Sequence, residues 1–306
     1  MSIIKQFSIP TLNDNPTDFD KLCELGDLVH AANSDVIFTF SDCQFLRPNA
    51  IAFLGGMARI VESKGRIVKF DFDTAPDKVL TILRQNGFAN QFGHSVFSGP
   101  GRSVPYREDR IEPIRQANLK DEIIDYLTNE WLGHGWVHVS PRLRNAIVGV
   151  VWEIYDNAFE HANSEIGIYS CGQYFPRLRI LQLAVADFGI GIPENVKRYL
   201  QEKVKRYLPL KLPSASCLQW AFQEGASTKT QGTRRGLGLN LLKDFVNLNH
   251  GTLEIYSQDG YALVKDNKER FHNRNSLLQG TIVNITIRCD ESYYCFTDET
   301  SVGPLF

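Results

Sequence analysis

Between residues 35 and 92 the apolar positions change period several times. Residues 36–40 are a short β-branched and aromatic run, whereas Pro48 opens a stretch in which Ile51, Leu54, Ala58 and Val61 fall on one helical face. Residues 67–72 read as a second strand. From Pro76 another helix places Val79, Leu80 and Leu83 inward and stops at Asn86-Gly87, since glycine takes the left-handed conformation that closes a helix. This alternation predicts a small α/β domain.

Residues 98–105 (SGPGRSVP) are dense in Gly, Pro and Ser and predict a connection, with a boundary near residue 100. Beyond it, residues 121–131 and 140–163 have helical periodicity, the latter with Ser140 as cap and Pro141 in the first turn. Residues 178–186 (LRILQLAVA), 252–257 and 281–288 read as strands. The expected organisation is a domain of residues 1–98, a linker of 99–118, a second domain of 119–290 and a tail of 291–306.

Composition narrows the function classes. The chain has 306 residues, 43% hydrophobic and 22% charged, with a formal net charge of −2, which suits a soluble globular protein and argues for neither nucleic-acid nor membrane binding. Its longest apolar stretch, near residues 146–152, falls far short of the roughly 20 residues that a membrane helix needs. The start MSIIKQFSIP lacks the features of a secretory signal, so a cytoplasmic location is expected. Cys23, Cys43, Cys171, Cys217, Cys289 and Cys295 form no C-x-x-C pair, and the histidines show no paired-ligand spacing; reduced, mostly buried thiols and no zinc site are expected.

Candidate chemistry lies in three segments. In the helix from Ser140, Leu143, Ile147, Val150 or Val151, and Ile154 form an apolar face, while Glu153, Asn157 and His161 recur every four residues as a polar stripe. By itself such a stripe is an ordinary solvated face. The second segment, Ala186-Asp187-Phe188-Gly189-Ile190-Gly191-Ile192-Pro193, follows an apolar strand directly; its glycines permit close backbone approach, and its aspartate can accept a hydrogen bond from the amine of adenine. The third, Arg235-Gly236-Leu237-Gly238-Leu239, leads into a helical run whose free amides and dipole favour phosphate. It is neither a Walker loop nor a full dinucleotide fingerprint.

Taken in order, Glu-x-x-x-Asn-Ala-x-x-His-Ala, Asp-x-Gly-x-Gly, Gly-Leu-Gly-Leu and Gly280-Thr281 resemble the GHKL superfamily of ATPases over roughly residues 120–290. The resemblance implies an α/β sandwich of the Bergerat type, with a mixed sheet covered by helices on one face, that binds ATP and Mg²⁺. Asn157 would hold Mg²⁺ and Asp187 would read adenine, with Thr281 beside it. Gly189 and Gly191 would admit the nucleotide, and Gly236, Leu237, Gly238 and Leu239 would wrap the phosphates. Glu153 matches a general base, and His161 a structural or supporting position. The basic segment between Pro193 and Arg235 would be the ATP lid, with Lys229, Arg234 and Arg235 as phosphate contacts.

The N-terminal pattern, over about residues 5–95, resembles the STAS domain of anti-sigma factor antagonists. Where that family carries Asp-Ser-Ser-Gly at a helix start, this chain has Arg47-Pro48-Asn49-Ala50, with no phosphoacceptor hydroxyl. A docking or dimerisation module is therefore expected, with a regulatory protein as partner and a homodimer left open. Two functional readings follow: a Mg²⁺-dependent ATPase or serine/threonine kinase of the anti-sigma type, or a non-catalytic switch in which ATP orders the lid and changes partner docking. Classical histidine-kinase action is disfavoured, since no helical hairpin with a phosphoacceptor histidine is recognisable. A third, remote reading is a metabolic enzyme with chance glycine turns.

Overall fold

The computed structural model describes residues 4–13, 15–94, 101–110, 116–162, 164–203, 211–223 and 238–299. Strand β1 (Ile4–Ser8) leads to α1 (Pro16–Ala32), whose start is set by Asn15: its side chain accepts the Asp18 amide at 2.8 Å, and Pro16 supplies a preset φ. Strand β2 (Asp35–Thr39), helix α2 (Pro48–Ser63) and strand β3 (Val68–Asp71) follow, so a helix does open at Pro48. The three strands are parallel, in the order β1-β2-β3. Helix α3 (Asp77–Gln85) buries Val79 and Leu83, leaves Leu80 half-buried, and ends at Asn86 before Gly87 with φ 83°; the short α4 (Phe88–Gln91) comes next.

Part of the expected linker is a strand, β4 (Ser103–Asp109), at the edge of a larger sheet. Pro105 hid it in the sequence. The register with the neighbouring strand shifts between Val104 and Arg107, and this irregularity at a sheet edge accommodates a residue with no amide hydrogen to donate. Helix α5 (Gln116–Asp125) continues into a π-helical stretch, Tyr126–Trp131, and strand β5 (His138–Val139) precedes α6 (Pro141–His161), where the Ser140 hydroxyl accepts the Leu143 amide at 3.1 Å.

The remaining elements are β6 (Ile168–Phe175), β7 (Ile180–Asp187), α7 (Gly191–Lys203), α8 (Ser214–Ala221), α9 (Gly238–Leu248), β8 (Thr252–Lys265), β9 (Lys268–Arg288) and β10 (Tyr293–Tyr294). The strands expected at 252–257 and 281–288 are the inner ends of one long hairpin, β8–β9, so Gly280-Thr281 lies within β9 and does not open it. Strand β10 pairs with β5, and the Ser140 amide bonds the Tyr294 carbonyl at 2.8 Å; this part of the expected tail is folded against the start of α6.

The large sheet has the order β4-β6-β7-β9-β8 with every pair antiparallel, so the expected α/β sandwich stands with an antiparallel sheet in place of a mixed one. Its strands are joined to one another without a parallel crossover. Both faces are covered, and not one alone. On one side Leu183, Val185, Val283 and Ile285 pack with Ile147, Val151 and Tyr155 of α6 and with Leu242 and Phe245 of α9. On the other, Tyr169, Cys171, Ala186, Tyr256 and Ile282 share a core with the N-terminal segment. The near-continuous apolar run of β7 is the signature of a strand buried on both faces.

Helix α2 lies between the two sheets, against β3 on one side and β6 and β7 on the other. Every residue from Pro48 to Ala58 is accordingly buried, well beyond the single stripe that the periodicity predicts. Polar ties also cross between the segments: Arg47 donates to Gln182 at 3.3 Å, and Arg274 of β9 pairs with Asp20 of α1.

Candidate nucleotide site

Asp187 is the last residue of β7 and is 7% exposed. Thr281 of β9 stands opposite it in register. Burial pushes the Asp187 carboxyl up to about 7, because an ionised group loses its hydration there; the Gly189 amide, donating at 2.9 Å, and backbone and side-chain hydrogen bonds from Thr281 pull it back only in part. The result is a buried carboxyl group at the end of a central strand.

Two positions of the turn after Asp187, Gly189 and Gly191, fit against their surroundings with no room for a side chain. A Cβ on Gly189 would overlap the carbonyl of Ala162, just past the end of α6, and that same carbonyl accepts the Ile190 amide at 2.8 Å. Gly191 has φ 78°, and a Cβ there would approach Ser257 Oγ to 2.7 Å. The turn is thus joined to α6 on one side and to β8 on the other.

Ser257 is a residue the sequence reading missed. Its hydroxyl accepts the Ile192 amide at 2.9 Å, donates to the Gly280 carbonyl at 2.9 Å and lies 2.9 Å from Thr281 Oγ1. A serine within an apolar strand carries no local signal of this. The role depends on the register that sets Ser257 opposite Thr281.

On α6, Glu153 is half-buried and Asn157, one turn further on, is exposed, while Ile147, Val151 and Tyr155 fix the helix on the sheet; the Tyr155 hydroxyl lies 2.6 Å from Ser170 Oγ. Helix α9 begins at Gly238 and packs on α6. Lys229, Arg234, Arg235, Gly236 and Leu237 lie outside the described residues, as do the side chains of His161, which ends α6, and Leu239, the second residue of α9. Of the expected lid, α7 starts at Gly191 and α8 packs on β8; residues 204–210 and 224–235 are outside the described set. The structure therefore joins Asp187, Gly189, Gly191 and Thr281 directly, and sets the helix bearing Glu153 and Asn157 against both the turn and α9.

The site is thus an antiparallel sheet that carries a buried aspartate into a glycine turn beneath two packed helices. Residues 143–291 match the family of histidine kinase-, DNA gyrase B- and HSP90-like ATPases, and this part of the chain is a domain of that family, which implies ATP binding. Over 111 residues the chain is 28% identical to the sensor histidine kinase TmoS of Ectopseudomonas mendocina, a stretch covering 36% of this chain and 10% of that protein. The chain thus spans about a tenth of the length of the curated relative it matches. Among the described residues, no helix is long and apolar enough to cross a membrane.

Proposed function

We propose that this chain is an ATP-binding regulatory protein of signalling, in which nucleotide is taken up between α6, α9 and the turn after β7. The observation that carries this reading is the buried Asp187 with Thr281 beside it, at the end of β7 and against a turn that admits no side chain at positions 189 and 191. Asp187 would accept the adenine amine, and the amides at the start of α9, with Gly236 and Gly238, would receive phosphate oxygens. Asn157 would hold Mg²⁺, which when bound neutralises phosphate charge. Glu153, one turn from Asn157 on the same helix, would accept the proton of an attacking water or hydroxyl.

Within this reading the activity is that of an ATPase or a serine/threonine kinase of the anti-sigma type, with residues 1–98 as a STAS-like docking module toward a regulatory protein in the cytoplasm. The non-catalytic switch is the second reading, and the packing of α2 on the sheet that carries Asp187 favours it, because partner docking and nucleotide then share one core. Calorimetric titration with a non-hydrolysable ATP analogue and Mg²⁺ tests the pocket: wild type is expected to bind, and Asp187→Ala to lose binding. Folded wild type that takes up no analogue overturns the assignment. Turnover measured in Glu153→Ala then separates the readings, since the enzyme requires that carboxylate and the switch does not.

A further inference from the structure

Phe188 lies between the adenine-facing Asp187 and Gly189, yet its side chain turns away from the helices that flank the nucleotide turn and enters the core shared with the N-terminal segment. Its ring centroid is 5.3 Å from that of Phe53 on α2 and 5.8 Å, edge-on, from that of Tyr169 on β6. Gly56, one turn beyond Phe53 in register along the same helix, completes the seat. A Cβ on Gly56 would overlap Cε2, Cζ and Cδ2 of the Phe188 ring, so the helix reaches this position only because the residue is glycine. Phe188 is 9% exposed, with rings on two sides and the α2 backbone at Gly56 on a third, so it is closely packed.

The backbone on either side of Phe188 is equally committed. Asp187 pairs with Thr281, Gly189 abuts the Ala162 carbonyl, and a Cβ on Gly280 would overlap the Asp187 carbonyl. Displacement of the ring therefore has to be taken up by the Asp187–Gly189 backbone. That backbone sets where the carboxyl group points.

We propose that Phe188 is a positioning residue for the nucleotide site, and that α2, through Gly56 and Phe53, couples ATP affinity to the docking of the N-terminal segment on the sheet. This rests on the reading of Asp187 as the adenine acceptor. Coupling of this kind is reciprocal: if the seat of α2 alters nucleotide affinity, nucleotide must alter the seating of α2 by the same factor. A partner that draws on α2 would then be felt at Asp187 without touching the nucleotide.

The experiment compares wild type, Gly56→Ala and the double variant Gly56→Ala/Phe188→Leu, each titrated with the same ATP analogue and Mg²⁺, with folding checked by near-ultraviolet circular dichroism. Gly56→Ala is expected to weaken binding at least tenfold, and the smaller leucine, by making room for the added methyl, to recover most of the loss. In wild type, hydrogen exchange is expected to slow across residues 48–63 when the analogue is added, a measurement that needs no variant. Unchanged affinity in folded Gly56→Ala, a loss that Phe188→Leu does not relieve, or exchange in residues 48–63 indifferent to nucleotide overturns the coupling. Wild type that binds no analogue instead removes the reading of the pocket, and the coupling with it.

Discussion

At the scale of single residues, Asp187 trades stability for a polar group in a dry place. Its ordinary value is 3.8 and burial raises it to about 7, so between those values the folded chain keeps a proton that the unfolded chain has released. Stability contributed by this group is full below pH 4, declines as pH rises through the window and is lost above 7. Asp187→Asn keeps the shape and the acceptor oxygen but cannot ionise. Urea midpoints at pH 5 and pH 8 should therefore fall for wild type relative to the variant, and parallel midpoints would refute the assignment.

Ser257 makes the complementary case, a hydroxyl whose value lies in its partners. Removing it leaves the Ile192 amide without its acceptor beside a fully buried site, which costs about 1–3 kcal/mol. Ser257→Ala should lower the urea midpoint by that order and weaken the ATP analogue as well, because Thr281 loses a neighbour. Stability and affinity both at the wild-type level would mean that the three contacts are incidental.

At the scale of elements, the Ala162 carbonyl joins α6 to the turn after β7, since it both accepts the Ile190 amide and limits residue 189 to glycine. Gly189→Ala must push helix and turn apart. Analogue binding should be abolished while the far-ultraviolet spectrum stays near wild type; retained binding would show that the junction is slack. This is also where sequence reading reached its limit. The starts of α2 and α6 were legible because Pro48, Ser140 and Pro141 act locally, and the strand into Asp187 because an apolar run precedes a glycine turn. Strand β4 was missed, since Pro105 looks like a linker residue until the register shift that accommodates it is known. The reach of the β8–β9 hairpin was missed for a related reason. Its outer part mixes Lys268, Arg270, His272 and Asn273 with apolar residues and so lacks clean alternation.

At the scale of the whole molecule, the sequence predicts two bodies and a linker, while the packing places Phe19, Phe53 and Ile51 in one apolar core with Tyr256, Phe188 and Ile282. Nothing local encodes this, because a strand read on its own does not say what covers its second face. Phe19 stacks on Tyr256 with centroids 3.7 Å apart, and Arg59 of α2 is bonded to Glu108 of β4 at 2.9 Å. Such a core should melt as a unit. Thermal unfolding followed by tryptophan fluorescence, whose four reporters all lie beyond residue 130, and by far-ultraviolet dichroism should give coincident transitions. Two separated transitions would mean that the segments unfold independently.

The placement of Cys171 turns that shared core into a clock. Its thiol is fully buried on the face of β6 beneath the N-terminal segment, bonded by the Asn86 amide at 3.6 Å, and burial pushes its pKa up to about 12. A thiol so placed reacts only in molecules whose cover has lifted, so with a reagent fast enough to outpace reclosing its alkylation rate counts openings of the segment. The chain thus carries its own chemical timer for how often its two parts let go of each other, and any ligand or partner that tightens their grip should be readable as a slower tick.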